Sequence, residues 1–218
     1  GVVRELGLTA TGELEGVTPG ERLVIVRDKK GGRETQLYDP GIKRVTRRVP
    51  AAAAVVSRSG ISFLHRKAEL IRCGTDLRAT ARVRVRGEIQ GVCLSPDERY
   101  VAVGFADDSF GSEYVSLVRV FHAATLKPAV TLTLEAPDAT YPRAVGARPG
   151  GWWLLAGGEG GDSFMRFGRN GKSVKTHEAW GQGVTSPDGR TVYIADEAHV
   201  VAIDTGAGRE RRFPLSWR

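Results

Sequence analysis

The chain has 218 residues, 41% of them hydrophobic and 26% charged, a balance that suits a folded globular protein and excludes a disordered segment. Lys and Arg number 32 against 25 Asp and Glu, so the net charge of +7 admits an anionic partner. No apolar run approaches the length that crosses a bilayer as a helix, and Cys73 and Cys93 have no Cys-x-x-Cys spacing, so both read as buried free thiols.

The first strand-like segment is Val2-Val3-Arg4-Glu5-Leu6-Gly7-Leu8, followed by a loop to Leu14. Gly16-Val17-Thr18-Pro19-Gly20-Glu21-Arg22-Leu23-Val24-Ile25 then opens a pattern that recurs: a short strand, a tight turn and a second, strongly apolar strand. The second copy is Val55-Val56-Ser57-Arg58-Ser59-Gly60-Ile61-Ser62-Phe63. The third is Gly91-Val92-Cys93-Leu94-Ser95-Pro96-Asp97-Glu98-Arg99-Tyr100-Val101-Ala102-Val103. Val145-Gly146-Ala147-Arg148-Pro149-Gly150-Gly151-Trp152-Trp153-Leu154 and Gly183-Val184-Thr185-Ser186-Pro187-Asp188-Gly189-Arg190-Thr191-Val192-Tyr193-Ile194-Ala195 complete the set. Pro19-Gly20 and Pro149-Gly150 fit type II turns, with Gly supplying the positive φ. The runs Leu23 to Val26, Trp152 to Ala156 and Val192 to Ala195 are continuously apolar, which predicts strands buried on both faces. Further along each unit a strand ends in a polar residue and a turn, as at Tyr38-Asp39 and Ile203-Asp204, with His122 in the equivalent place. A polar, alternating strand such as Ala79 to Arg86 follows, wet on one side.

Turn centres at Gly20, Ser59, Asp97, Gly150 and Asp188 are spaced by 39, 38, 53 and 38 residues. A period near 40 with four strands per unit predicts an all-β fold, a β-propeller of four-stranded antiparallel blades in one domain spanning 1–218. Its units run approximately 15–49, 51–87, 89–135, 142–178 and 181–215. Through the Ser-Pro-Asp-Gly-Arg type of turn and the Tyr-Asp and Ile-Asp strand ends, the chain resembles the WD-repeat and YVTN-type propeller families from about Gly16 to Leu215. No unit carries Trp-Asp or Gly-His, so the resemblance is to the looser group. The last unit reads as complete in four strands, so Val2 to Leu8 is expected to be the outermost strand of a preceding blade in a larger ring, of about six to eight blades.

Chemistry-bearing motifs are few. Gly168-Arg169-Asn170-Gly171-Lys172-Ser173 lacks the leading Gly of a phosphate loop and reads as a hairpin turn. Gly157-Gly158-Glu159-Gly160-Gly161 lacks the last Gly of a dinucleotide loop and reads as a connection between strands. His65, His122, His177 and His199 fall in different units without ligand spacing, and no cofactor or metal is expected. One constellation remains. An enlarged loop holds Asp107, Asp108, Glu113 and Tyr114, the next unit has Glu159 and Asp162 at the matching place, and the intervening link holds Asp138 and Tyr141. These eight residues are the expected partner-binding set of a non-catalytic scaffold, contacting a protein through loops on one face. The resemblance to YVTN-type families also implies an alternative, a small-ligand or lactonase-like site in a central channel. That site needs polar groups on the innermost strands, where Val17, Val55, Val92, Val145 and Val184 are apolar. A second alternative is nucleic-acid contact through Lys43, Arg44, Arg47, Arg48, Arg82, Arg84, Arg86, Arg209, Arg211 and Arg212 on the outermost strands, whose charge equally guards exposed edges.

Overall fold

Apolar, β-branched and aromatic runs separated by Pro-, Gly- and Asp-containing turns fold as strands, and among the described residues there is no helix. The computed structural model describes residues 12–30, 32–105, 117–134, 139–158, 161–178, 181–195 and 198–215, so Val2 to Leu8 lies outside them. The first sheet comprises β1 (Glu13–Val17), β2 (Leu23–Lys29), β3 (Gly32–Asp39) and β4 (Arg44–Val49); the second comprises β5 (Ala52–Val56), β6 (Ser62–Arg66), β7 (Glu69–Cys73) and β8 (Ala79–Arg84). In the third are β9 (Ile89–Leu94), β10 (Tyr100–Phe105), β11 (Leu117–His122) and β12 (Pro128–Thr133). The fourth holds β13 (Ala139–Arg148), β14 (Gly151–Gly158), β15 (Gly161–Gly168) and β16 (Ser173–Glu178). The fifth holds β17 (Gln182–Thr185), β18 (Thr191–Ala195), β19 (His199–Asp204) and β20 (Glu210–Pro214). Each sheet is a meander in chain order.

The chain divides into two compact units, Gly1–Val83 and Arg84–Arg218. In the first, Val24, Val26 and Leu37 of the first sheet pack against Leu64, Ile71 and Cys73 of the second. In the second unit, Cys93, Ala102, Val118 and Val120 of the third sheet meet Val145, Leu154, Met165 and Phe167 of the fourth. The opposite face of the fourth sheet, with Trp153, Leu155 and Phe164, meets Val192, Ile194, Val201 and Ile203 of the fifth. Both cysteines are free and buried, and burial pushes the Cys73 thiol up to about 11 and the Cys93 thiol up to about 12, so neither is a ready nucleophile.

The strand following each first turn is buried on both faces in β10 and in most of β14, as its composition requires. β18 departs from that expectation. Val192 and Ile194 are buried, but Tyr193 and Ala195 are exposed, because only one face of the fifth sheet meets a neighbour in the unit.

The first turns of the third and fifth sheets share one geometry. Ser186 Oγ donates to Asp188 Oδ1 at 2.6 Å, Asp188 accepts from Arg190 N at 3.1 Å, and Ser186 Oγ accepts from Thr191 N at 2.9 Å. Ser95, Asp97, Arg99 and Tyr100 repeat these contacts at 2.6, 3.1 and 2.9 Å. The residue after the Asp position turns left-handed: Gly189 at φ 68°, Glu98 at 57° and Gly60, in the second sheet, at 80°. Gly150 has the expected positive φ, 83°, but in the first turn the left-handed residue is Glu21, at φ 57°, and not Gly20. The reason is visible in the bonding: Glu21 N donates to Thr18 O and Thr18 N to Arg22 O, each at 2.9 Å, as Gly60 N donates to Ser57 O and Ser57 N to Ile61 O, each at 2.8 Å, in the second sheet. A side chain at such a φ costs roughly 1–2 kcal/mol, of which the added chain entropy of glycine returns part. Glu21→Gly should therefore stabilise the protein by about 0.5–1 kcal/mol, read as a higher urea midpoint with an unchanged m-value.

Burial also sets an acid limit. His65 on β6 is buried, and its Nδ1 has no hydrogen-bond partner among the described residues. Desolvation, helped by the positive charge of Arg33, pulls its pKa down to about 4. The folded protein thus binds fewer protons than the unfolded chain below the unfolded value of 6.5. Stability should be full above pH 6.5 and fall as pH drops toward 4, by up to about 3 kcal/mol, and His65→Leu should flatten that part of a denaturation-versus-pH curve.

Candidate functional site

One end of the fourth sheet gathers a cluster of polar groups on three neighbouring strands. Tyr141 on β13, Gly157 on β14 and Asp162 on β15 form one row across three neighbouring strands. Pairing jumps from Pro142–Ala156 to Ala144–Leu155, so Arg143 is the extra residue of a β-bulge. Arg143 shares the face of its i−2 neighbour Tyr141 and lies beside Asp162, and the bulge brings Ala144 onto the same face directly after it. Arg143 Nε donates to Asp162 Oδ1 at 2.8 Å, and Nη2 donates to Tyr141 Oη at 3.0 Å. The guanidinium also lies 5.1 Å from the centre of the Tyr141 ring, a cation–π contact.

Gly157 is the floor of this arrangement. A Cβ there would sit 2.7 Å from Tyr141 Cε2 and 2.8 Å from Arg143 Nε, so any side chain would evict both groups. Asp162 is fully engaged: its Oδ2 accepts from Gly183 N at 2.5 Å, and its own N donates to Gly181 O at 2.8 Å. Its side chain is 2% exposed, whereas Arg143 is 33% exposed and Tyr141 39%. A buried carboxylate thus holds an accessible arginine–tyrosine pair in one orientation. With Arg143 on one carboxylate oxygen and Gly183 on the other, the buried Asp162 serves as an anchor.

Of the eight sequence-derived contact residues, Tyr141 and Asp162 are brought together, through Arg143. Asp107, Asp108, Glu113, Tyr114, Asp138 and Glu159 lie outside the described residues. Arg143 was missed in the sequence, and its signal is faint: an arginine beside Tyr-Pro at the start of an otherwise apolar strand. The first strands are also more polar than the valine series suggested. They carry Glu13 and Glu15 on β1, Gln90 on β9, Tyr141 and Arg143 on β13, and Gln182 on β17.

Other candidates resolve into structure. Gly168 to Lys172 is the β15–β16 turn, closed by Gly168 N to Lys172 O at 2.9 Å, with Gly171 at φ 77°. Asp39 and Asp204 accept from the amides of their own turns, and Gly41 N reaches Asp39 Oδ1 at 2.9 Å. His122 instead closes its turn through its backbone and sets its ring 5.4 Å from Tyr100. A cleft of about 270 Å³ in the first unit is lined by Gly12, Glu13, Val26, Asp28 and Arg33, but its one cation pairs with Asp28 at 3.0 Å. Arg44, Arg47, Arg48, Arg82, Arg84, Arg211 and Arg212 do sit on last strands, with Lys43, Arg86 and Arg209 flanking them. Several are spent locally: Arg82 meets Glu69 at 3.3 Å, Arg48 meets Glu34 at 3.7 Å and Arg212 meets Glu210 at 3.8 Å.

Five four-stranded meanders in series match known architecture. The chain is similar to hydrazine synthase of Kuenenia stuttgartiensis, with TM-score 0.58 and 17% identity over 97% of this chain and 70% of that one. It is also similar to BamB from Moraxella catarrhalis, with TM-score 0.57 and 14% identity over 88% of this chain and 62% of that one. Both are β-propeller proteins. The fold is a β-propeller. Identity this low shows architecture alone and says nothing of shared chemistry. No family model matches the sequence, and no curated protein sequence matches it. No helix of the described residues is long and apolar enough to cross a membrane.

Proposed function

We propose that this chain is a non-catalytic propeller scaffold, loosely related to the WD-repeat and YVTN-type proteins, that binds a protein partner at the end of the fourth sheet. The observation that carries this reading is the Tyr141–Arg143 pair, exposed yet locked by Asp162. Tyrosine and arginine dominate interface hot spots, and a pre-ordered pair loses little entropy when a partner arrives. The acidic residues of the adjoining connections in sequence (Asp138 and Glu159) favour a partner with basic groups around that contact.

Capture from source-cell extract after crosslinking compares wild type with Tyr141→Ala and with Arg84→Ala, an exposed change on β8. Partner yield should fall about 30-fold for Tyr141→Ala, the loss of one hot spot, and stay unchanged for Arg84→Ala. Equal capture by all three proteins, with Tyr141→Ala melting like wild type, would remove the proposal.

A second reading, small-molecule binding along the first strands, draws on Gln90, Tyr141, Arg143 and Gln182 in the Arg84–Arg218 unit. It supplies hydrogen-bonding groups but no acid–base pair among the described residues, so it supports binding more than a lactonase-like reaction.

A further inference from the structure

A guanidinium carries five N–H donors, and Arg143 commits two of them inside the protein. Its Nε donates to Asp162 Oδ1 at 2.8 Å and its Nη2 to Tyr141 Oη at 3.0 Å. Those two groups form the side edge of the guanidinium. The end edge, Nη1 with the second N–H of Nη2, has no partner among the described residues, on a side chain that is 33% exposed. Tyr141 Oη accepts from Arg143, which leaves its own O–H free to donate outward. The pair therefore shows the outside an edge of donors set as a fork, and the ligand that matches it presents two acceptors side by side.

Arg166, on β15 of the same sheet, shows which acceptors such an edge takes. Its Nη1 donates to Ala207 O at 2.9 Å and its Nη2 to Gly206 O at 2.8 Å, two consecutive carbonyls of the β19–β20 turn. Neither acceptor is charged. The turn is tight, with Ala207 N donating to Asp204 Oδ1 and Gly208 left-handed at φ 71°. A Cβ at Gly208 would lie 2.2 Å from Arg166 Nη1, so the guanidinium reaches the carbonyls because glycine stands there. Arg148 has the same preference, donating to the carbonyls of Trp152, Pro149 and Phe167.

A fork of N–H groups fits a carboxylate as well as a pair of carbonyls, and charge separates the two. Arg143 already has its counter-ion in Asp162, which is 2% exposed, so the two are neutral as a unit. Asp138 and Glu159, in the connections next to it in sequence, add negative charge. An incoming carboxylate is repelled there, and neutral carbonyls are not. Resting on the reading that Tyr141 and Arg143 contact a protein, we infer that the end edge of Arg143 takes two consecutive backbone carbonyls of a glycine-containing turn in that partner. Tyr141 packs against the turn.

The probe is a disulfide-closed peptide that carries the Thr-Gly-Ala-Gly sequence of residues 205–208 between two lysines. It is titrated into 15N-labelled protein, and the Arg143 Nε–H and Gly157 amide signals are followed by NMR. Both should shift saturably, with a Kd on the order of 1 mM for so small a contact. Arg143→Lys keeps a cation beside Asp162 but has no planar fork, and should raise the Kd read at Gly157 at least roughly tenfold. Sodium acetate at the same concentrations should leave both signals in place. Shifts with acetate that match or exceed those with the peptide, or none with either, would overturn the inference. Crosslinked capture separates it from the reading beneath it. If Arg143→Lys captures like wild type while Tyr141→Ala does not, the protein contact stands and the carbonyl fork falls. If Tyr141→Ala also captures like wild type, the contact falls and the fork with it.

Discussion

Gly171→Ala should destabilise the protein by about 3 to 5 kcal/mol and lower its melting temperature by roughly 10 °C. Gly171 occupies the β15–β16 turn at φ 77°, where any other residue is strained by roughly 1–2 kcal/mol. Strain is the smaller part. A Cβ at this position would lie 1.8 Å from the carbonyl oxygen of Thr131 on β12, inside any possible contact distance. The turn and β12 would have to separate, breaking the bond from Thr133 N to Gly171 O at 3.1 Å and opening the seam over Leu132 and Phe167. Gly189→Ala is the matched comparison. Its φ is 68°, but the nearest atom to its Cβ is a flexible ring carbon of Pro96 at 3.1 Å, so it should cost only about 1 kcal/mol. Equal losses for the two variants would show that backbone strain alone matters, and that the third and fourth sheets do not meet at this turn.

This contrast also explains why the fold was legible in the sequence and its seams were not. Period, turn residues and apolar runs are local, and each of the five turns announces itself within about ten residues. Ser186-Pro187-Asp188-Gly189 dictates a hydrogen-bonded loop whatever lies around it, and the fifth sheet follows from it. Gly171 reads equally well as the glycine of an isolated hairpin. That it must be glycine because a neighbouring sheet's carbonyl fills the space is a tertiary fact, separated by 40 residues from the group that imposes it. Glu21 fails for the opposite reason. Pro19-Gly20 is a strong type II signal, yet the strand register set by Thr18 and Arg22 moves the left-handed residue one place along.

The candidate site was half legible. Tyr141 and Asp162 were singled out for their charge or ring near long connections, a pattern that holds without knowing what they touch. Arg143 could not be assigned: alternation sets it on the face of its i−2 neighbour Tyr141, but the groups it meets there, Gly157 and Asp162, belong to the neighbouring strands β14 and β15. The bulge that follows, which turns Ala144 onto the same face, leaves little trace in one sequence either. Gly157, read as part of a connection between strands, proves to be a surface on which two side chains rest. β18 carries the same lesson: its apolar run promised burial on both faces, and the structure fills one.

Asp162→Ala should cost about 3 to 5 kcal/mol, because it strands two groups at once. The Arg143 guanidinium loses the carboxylate 2.8 Å from its Nε, and the Gly183 N–H loses its acceptor inside the seam between the fourth and fifth sheets. An unsatisfied buried amide alone costs about 1–3 kcal/mol, and an uncompensated cation that is two-thirds buried adds to it. Asp162→Asn keeps the volume but turns one acceptor into an NH2 group, so either Arg143 or Gly183 meets a donor; about 2 to 3 kcal/mol is expected. Arg143→Met adds the decisive arm. Removing the guanidinium while Asp162 stays leaves a buried carboxylate with one partner, which is costly. Combining Arg143→Met with Asp162→Ala removes both charges, and the pair should cost clearly less than the sum of the single changes. A coupling energy of about 1.5 kcal/mol or more in that cycle, from urea titrations, would establish that Asp162 is there to hold Arg143. Strict additivity would mean that the carboxylate serves only Gly183, that Arg143 is held by its bulge alone, and that Tyr141 keeps its place without it.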